Sequence, residues 1–149
     1  MEPQHIFLIV WVIMAATMLT VMYKRGKKAL DIFPDISSVD ILFRENRVSG
    51  NSRKSLKTKL GGARNVLEII VTNDELWIRN PLLFAGFGKT YDLLHKVQLP
   101  HISNAELNKK NVVITFNSTQ KTETTLDLKM KKAQEFVEII NKKSVQHGI

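Results

Sequence analysis

Arg53, Lys54, Lys57 and Lys59 put four positive charges into seven residues, and the chemistry open to them is the binding of anions such as phosphate-bearing headgroups. Other reactive residue types are scattered. His5, His95, His101 and His147 have no zinc-ligand spacing, and the alternation around His95 reads as a satisfied strand histidine. Gly86-Phe87-Gly88-Lys89 resembles a phosphate loop only superficially, because one residue separates its glycines where the P-loop needs four. The chain has no cysteine, which excludes disulfides, thiolate zinc sites and cysteine nucleophiles. No G-x-S-x-G and no marked carboxylate pair occurs, so neither enzymatic activity nor a cofactor is expected. Phe84 and Phe87 stand in the glycine-containing segment 82–88 between strand patterns. They are either core residues or an apolar loop for a partner or the headgroup layer.

Those side chains must be positioned by what surrounds them, beginning with the N-terminus. Ile6 to Tyr23 reads IFLIVWVIMAATMLTVMY, 18 residues without a charge. As a helix it would be about 27 Å long, enough to cross a hydrocarbon core. A secretory signal would open on basic residues and end in a small-residue cleavage site; here Glu2 precedes the run and Lys24, Arg25, Lys27 and Lys28 follow it. A core helix would be amphipathic, whereas this run is apolar on every face. A transmembrane anchor is therefore expected, with Tyr23 at the interface and the hydroxyls of Thr17 and Thr20 bonded back one turn. The basic flank predicts the N-terminus outside and the remainder cytoplasmic.

The net charge of +8 is uneven. Residues 24–64 hold 11 Lys/Arg against 4 Asp/Glu, while residues 65–149 hold 11 against 9. An excess confined to the part nearest the anchor suits anionic headgroups, at about 1 kcal/mol per basic side chain near the surface. Nucleic-acid binding would instead need a basic folded part, so no nucleic-acid partner is expected. The sequon at 117–119 would not meet the glycosylation machinery on a cytoplasmic domain.

The remaining residues make one domain. The expected layout is an anchor over 1–28, a linker over 29–40 that Pro34 keeps from continuing the helix, a β domain over 41–143, and a frayed tail over 144–149. A first strand starts near Ile41, and Gly50-Asn51-Ser52 and Gly61-Gly62 punctuate the basic stretch after it. Leu67, Ile69 and Val71, then Leu76 and Ile78, alternate on either side of Thr72-Asn73-Asp74 as a hairpin. Leu93 to Leu99 alternates before Pro100, and a short piece runs from Ile102 to Leu107. Val112, Ile114 and Phe116, then Thr124, Leu126, Leu128 and Met130, continue a meander through a turn at 118–121. Over 131–143 the period changes: Ala133, Phe136, Val137 and Ile140 line one face of an amphipathic helix with no N-cap residue in sight.

This order resembles that of pleckstrin-homology (PH)-like domains, the GRAM and bacterial PH types included. NVLEIIVTNDELWIR resembles their early hairpin, DLLHKVQLPHISNAEL their middle segment, and TTLDLKMKKAQEFVEII their last strand and closing helix. The resemblance implies an α+β chain. A single transmembrane helix precedes a strongly bent antiparallel sheet or barrel of about six to seven strands, closed by a C-terminal helix. In phosphoinositide-binding members the first inter-strand loop is basic. If the first pair here is the hairpin at 66–79, that loop is the acidic Thr72-Asn73-Asp74-Glu75. If the first strand is Ile41–Arg47, the loop carries Arg53, Lys54, Lys57 and Lys59 as candidate headgroup contacts. The expected function is a non-enzymatic, single-pass membrane protein presenting an interaction domain to a protein partner. A sensor of anionic headgroups is the alternative.

Overall fold

The computed structural model describes residues 2–117 and 122–146. His147 and the predicted turn at 118–121, with the last two sequon positions, lie outside the described residues. Helix α1 (Pro3–Leu30) carries the apolar run; it is long and apolar enough to cross a membrane, and none of its apolar window is buried against the rest of the chain. The hydroxyls of Thr17 and Thr20 donate to the carbonyls of Ile13 and Ala16, each at 2.8 Å, as expected. The helix does not stop with the basic cluster at Lys28: it continues to Leu30, four residues short of Pro34.

Seven strands follow: β1 (Ile41–Ser52), β2 (Ala63–Thr72), β3 (Glu75–Arg79), β4 (His95–Gln98), β5 (Ile102–Asn108), β6 (Asn111–Asn117) and β7 (Glu123–Lys129). They form one antiparallel sheet in the order β4-β3-β2-β1-β7-β6-β5. The sheet is open, with β4 and β5 at its edges, so the barrel alternative does not hold. β1 is the seam: Ile41 to Gly50 pair with β2, and Ser49 to Ser52 pair with β7. It is longer than the sequence suggested, because Gly50-Asn51-Ser52 are ladder residues rather than a turn. The hairpin at 66–79 is β2–β3, and the basic loop is the first one.

Alternation places the core. Leu67, Ile69, Leu76, Ile78, Val112, Ile114, Phe116, Leu126 and Leu128 are fully buried on one face. Helix α4 (Ala133–Gln146) packs over β5 and β6 and buries Phe136 and Ile140 there. Phe136 lies 5.5 Å from the ring of Phe43, and burying such a side chain stabilises by about 2–3 kcal/mol. The helix starts two residues later and ends three later than the pattern predicted, so residues 144–146 of the expected tail are helical. Its missing cap comes from β1: the buried Glu45 carboxylate accepts the backbone N–H groups of Lys131 and Lys132.

The opposite face of the sheet is covered as well. Ile70 and Trp77, cross-strand partners pointing away from the core, are buried by Phe33, with Leu30, Ile36, Val39 and Leu94 around them. Phe33 and Trp77 are tilted rings with centroids 5.8 Å apart, and Trp77 donates its indole N–H to Glu75 at 2.8 Å. Residues 31–40 of the linker thus form a strap docked on the sheet. They run from the end of α1 to the start of β1, where Ile41 pairs with Thr72 beside the β2–β3 turn.

Candidate functional site

The basic loop after β1 and the Phe84/Phe87 segment lie side by side at one end of the sheet. The β1–β2 loop contains a short helix, α2 (Leu56–Leu60), started by a reciprocal pair of bonds between Ser55 and Thr58. The β3–β4 connection contains another, α3 (Ala85–Thr90), where the sequence suggested a plain loop. Asp92 ties the two together. Its carboxylate accepts from the Ser52 hydroxyl at 2.8 Å and faces Lys54 Nζ at 3.8 Å.

Helix α1 ends against this same place. A side chain at Gly26 would overlap the Leu82 carbonyl, and one at Gly86 would press on Arg25 Cβ at 3.3 Å. Glycine at these two positions lets the helix backbone touch the β3–β4 connection directly. Arg25 belongs to the basic flank Lys24, Arg25, Lys27 and Lys28, so α3 sits at the height of that flank.

Neither Phe84 nor Phe87 belongs to the core; they are 45% and 48% exposed. Leu56 and Leu60 on α2 are 77% and 85% exposed. Phe84 and Phe87 also line a cleft of about 330 Å³ with Tyr91, Val66 and Leu93, and Gly61 to Arg64, where the loop enters β2, complete its wall. The buried Asn80 Oδ1, which also lines it, accepts no hydrogen bond from the described residues.

The four basic loop residues do not converge. Arg53 makes a two-pronged pair with Asp127, at 2.6 and 2.7 Å. Those hydrogen bonds, and then the charge of Asp127, raise its pKa above the ordinary arginine value. Lys54 faces Asp92, and Lys57 stands 5.9 Å over the ring of Tyr91. Lys59 lines a different recess with Arg64 and Lys129. Two of the four charges are therefore paired with carboxylates of the domain, and a third lies over an aromatic ring.

His95 is a structural residue. Its Nε2 lies 2.7 Å from the Asp92 carbonyl and its ring is edge-on to Phe116 at 5.0 Å. Burial, the largest influence, pushes its pKa below the usual histidine value against the opposing pull of Asp92. Among the described residues no three His, Asp or Glu side chains group as metal ligands.

The sequence reading missed the surroundings of this site. Ile70 and Trp77 carried a usable signal, since both put an apolar side chain on the face that alternation assigns to solvent.

No protein-family model and no curated protein sequence matches the chain. Solved structures do. The DH/PH domains of PDZ-RhoGEF in complex with GTPγS-activated RhoA superpose with a TM-score of 0.51 at 11% identity, over 86% of this chain and 39% of that one. The linker-DH/PH domains of p115-RhoGEF give 0.46 at 12% identity, over 91% of this chain and 42% of that one. The chain thus spans about two fifths of the length of these structures. At such identity the likeness concerns the fold alone, a PH-like domain.

Proposed function

We propose that this chain is a non-enzymatic, membrane-anchored interaction module. α1 crosses the bilayer once, Lys24, Arg25, Lys27 and Lys28 lie on the cytoplasmic side, and the PH-like domain receives a protein partner there. The positive-inside tendency supports the orientation. Within the PH-like class, the stretches at 65–79 and 92–107 support a bacterial PH or GRAM-type assignment.

The observation that carries this reading is the docking of α1 on the domain. Gly26 lies on Leu82, Arg25 on Gly86, and the strap holds Phe33 against Trp77. A flexible tether would let the domain tumble; this contact gives it one attitude. Gly26 is three residues, or about 4.5 Å of helix, beyond Tyr23. At that height Phe84, Phe87, Leu56 and Leu60 meet the headgroup layer, and the far end of the sheet, with the β2–β3 turn, faces the cytosol. A headgroup sensor built on Arg53, Lys54, Lys57 and Lys59 has less support, because Asp127 and Asp92 hold the first two.

The test is the double substitution Phe84→Ser/Phe87→Ser in the full chain in nanodiscs. The proposal expects an unchanged thermal midpoint and freer rotation of the domain by fluorescence anisotropy. Loss of fold would return the two rings to the core, and an unchanged anisotropy would remove their role at the membrane.

A further inference from the structure

A recess of about 900 Å³ carries Arg47, Arg64, Lys109, Lys110, Lys129 and Lys131 on its rim. All six are exposed, and none makes a salt bridge with a described residue. No carboxylate stands among the described lining residues, and Asp127, two residues before Lys129 on β7, is held by Arg53. Like charges gathered without counter-charges repel one another, and an acidic partner would relieve them.

Arg64 makes this recess continuous with two others. It also lines the Lys59 recess, where Ser49 and Lys129 recur, and the Phe84/Phe87 cleft. The basic surface is therefore a band and not a separate pocket. The ladder gives its course: the Asn65 N–H donates to the Ser49 hydroxyl, Ser49 pairs with Lys129, Lys129 with Asn111, and Asn111 with Asn108. That path crosses β2, β1, β7, β6 and β5, a width of about 19 Å at ordinary strand spacing. An extended peptide covers it in about six residues.

The backbone is bent to shape this band. Of the four non-glycine residues with left-handed φ among the described residues, three line the recess: Arg47 at 61°, Asn65 at 54° and Lys109 at 59°. Arg47 sits in a bulge of β1 between Glu45 and Val48, and bulges re-aim side chains. Strain of this kind concentrates at functional sites.

What surrounds the charges decides which anion they suit. A compact phosphate is well held by free backbone N–H groups, as at a helix N-terminus. Here the N–H groups of Lys131 and Lys132, leading into α4, are already taken by Glu45. The six charges instead ring an apolar floor of Leu107, Met130 and Ala133, and Leu60 lies exposed beside Lys59. Nucleic-acid bases would find no ring in this recess to stack on. Carboxylates spaced along a chain, with apolar side chains between them, match both rim and floor. We infer that the band receives an acidic segment of a partner protein, whose interspersed apolar side chains rest on the Leu107 floor. The inference rests on the protein-partner reading above and adds to it the surface and the partner's chemistry.

The test uses the full chain in phosphatidylcholine nanodiscs and a fluorescein-labelled peptide of three Glu-Glu-Leu repeats. Saturable binding by fluorescence anisotropy is expected, weakened at least tenfold by Arg64→Gln/Lys110→Gln/Lys129→Gln and unchanged by Lys142→Gln. These four positions are exposed, so the fold should stand, and matched circular dichroism spectra check this. Leu107→Ser should weaken this peptide but leave binding of polyglutamate unchanged. Absence of binding, an equal effect of Lys142→Gln, or polyglutamate bound as tightly would overturn the inference. So would inositol hexakisphosphate bound more tightly than the peptide, which would make the band a phosphate site. Benzoylphenylalanine in place of Lys110 or of Lys142, in the native membrane, separates failure here from failure of the protein-partner reading. A protein cross-linked from Lys110 and displaced by the peptide supports the inference. Cross-linking from Lys142 alone, or from Lys110 undiminished by the peptide, overturns it and keeps the partner reading. No cross-linked protein from either position overturns both.

Discussion

The Glu45 carboxylate, buried on β1, lies 2.6 Å from the backbone nitrogen of Lys131, 86 residues further along the chain. Its second oxygen takes the N–H of Lys132 at 2.9 Å, so one side chain from the seam strand holds the entry to the closing helix. Hydrogen bonds to a charged acceptor are worth about 1.5–3 kcal/mol each, and an unpaired buried N–H adds its own cost. Glu45→Ala should therefore lower stability by about 2–4 kcal/mol in urea unfolding of the full chain in detergent, with Glu45→Gln intermediate. A loss below about 0.5 kcal/mol, the size of an ordinary surface substitution, would mean that the cap is redundant.

The strap gives a second prediction. Phe33→Ala removes the ring that covers Trp77 and should cost about 3 kcal/mol at a site well outside the main core. Limited proteolysis should then cut within 31–40 before the sheet unfolds. Simultaneous loss of strap and sheet would instead make them one cooperative unit.

Gly26→Val should separate α1 from Leu82 while sparing both the helix and the domain. Near-UV circular dichroism of the domain should stay intact, and Trp77 fluorescence should report the strap's response. If Gly26→Val leaves the α1–domain contact unchanged in cross-linking, the close approach is not what joins them.

His95 sets a pH dependence. Its folded pKa lies below that of the unfolded chain, so the unfolded state binds the extra proton as pH falls. Its contribution is fully present above the unfolded value and declines as pH drops from there towards the depressed folded value. The thermal midpoint should therefore fall more steeply between about pH 7 and 5 for the native chain than for His95→Gln. Equal slopes would put the titration elsewhere.

Most of the sheet was legible because alternation is a local property: Val112, Ile114 and Phe116, or Leu126 and Leu128, announce a one-sided strand. The spacing of Ala133, Phe136, Val137 and Ile140 announced α4 in the same way. What escaped depends on partners far away in the chain. No local pattern links Glu45 to Lys131, or Phe33 to Trp77. Arg53, Lys54 and Lys59 look alike in sequence, because only the fold decides which of them meets a carboxylate. Phe84 and Phe87 left two readings open, since a short helix of two turns or less has too little periodicity to show its buried face.

The central claim, one fixed attitude of the domain at the bilayer, can be tested by depth. The chain has no cysteine, so one introduced thiol takes one spin label. Labels at Phe87→Cys and at Asn73→Cys, at opposite ends of the sheet, should differ in nanodiscs. The first should be relaxed by membrane-dissolved oxygen at headgroup depth, and the second only by an aqueous nickel chelate. Equal relaxation of both labels by the aqueous reagent would contradict the account.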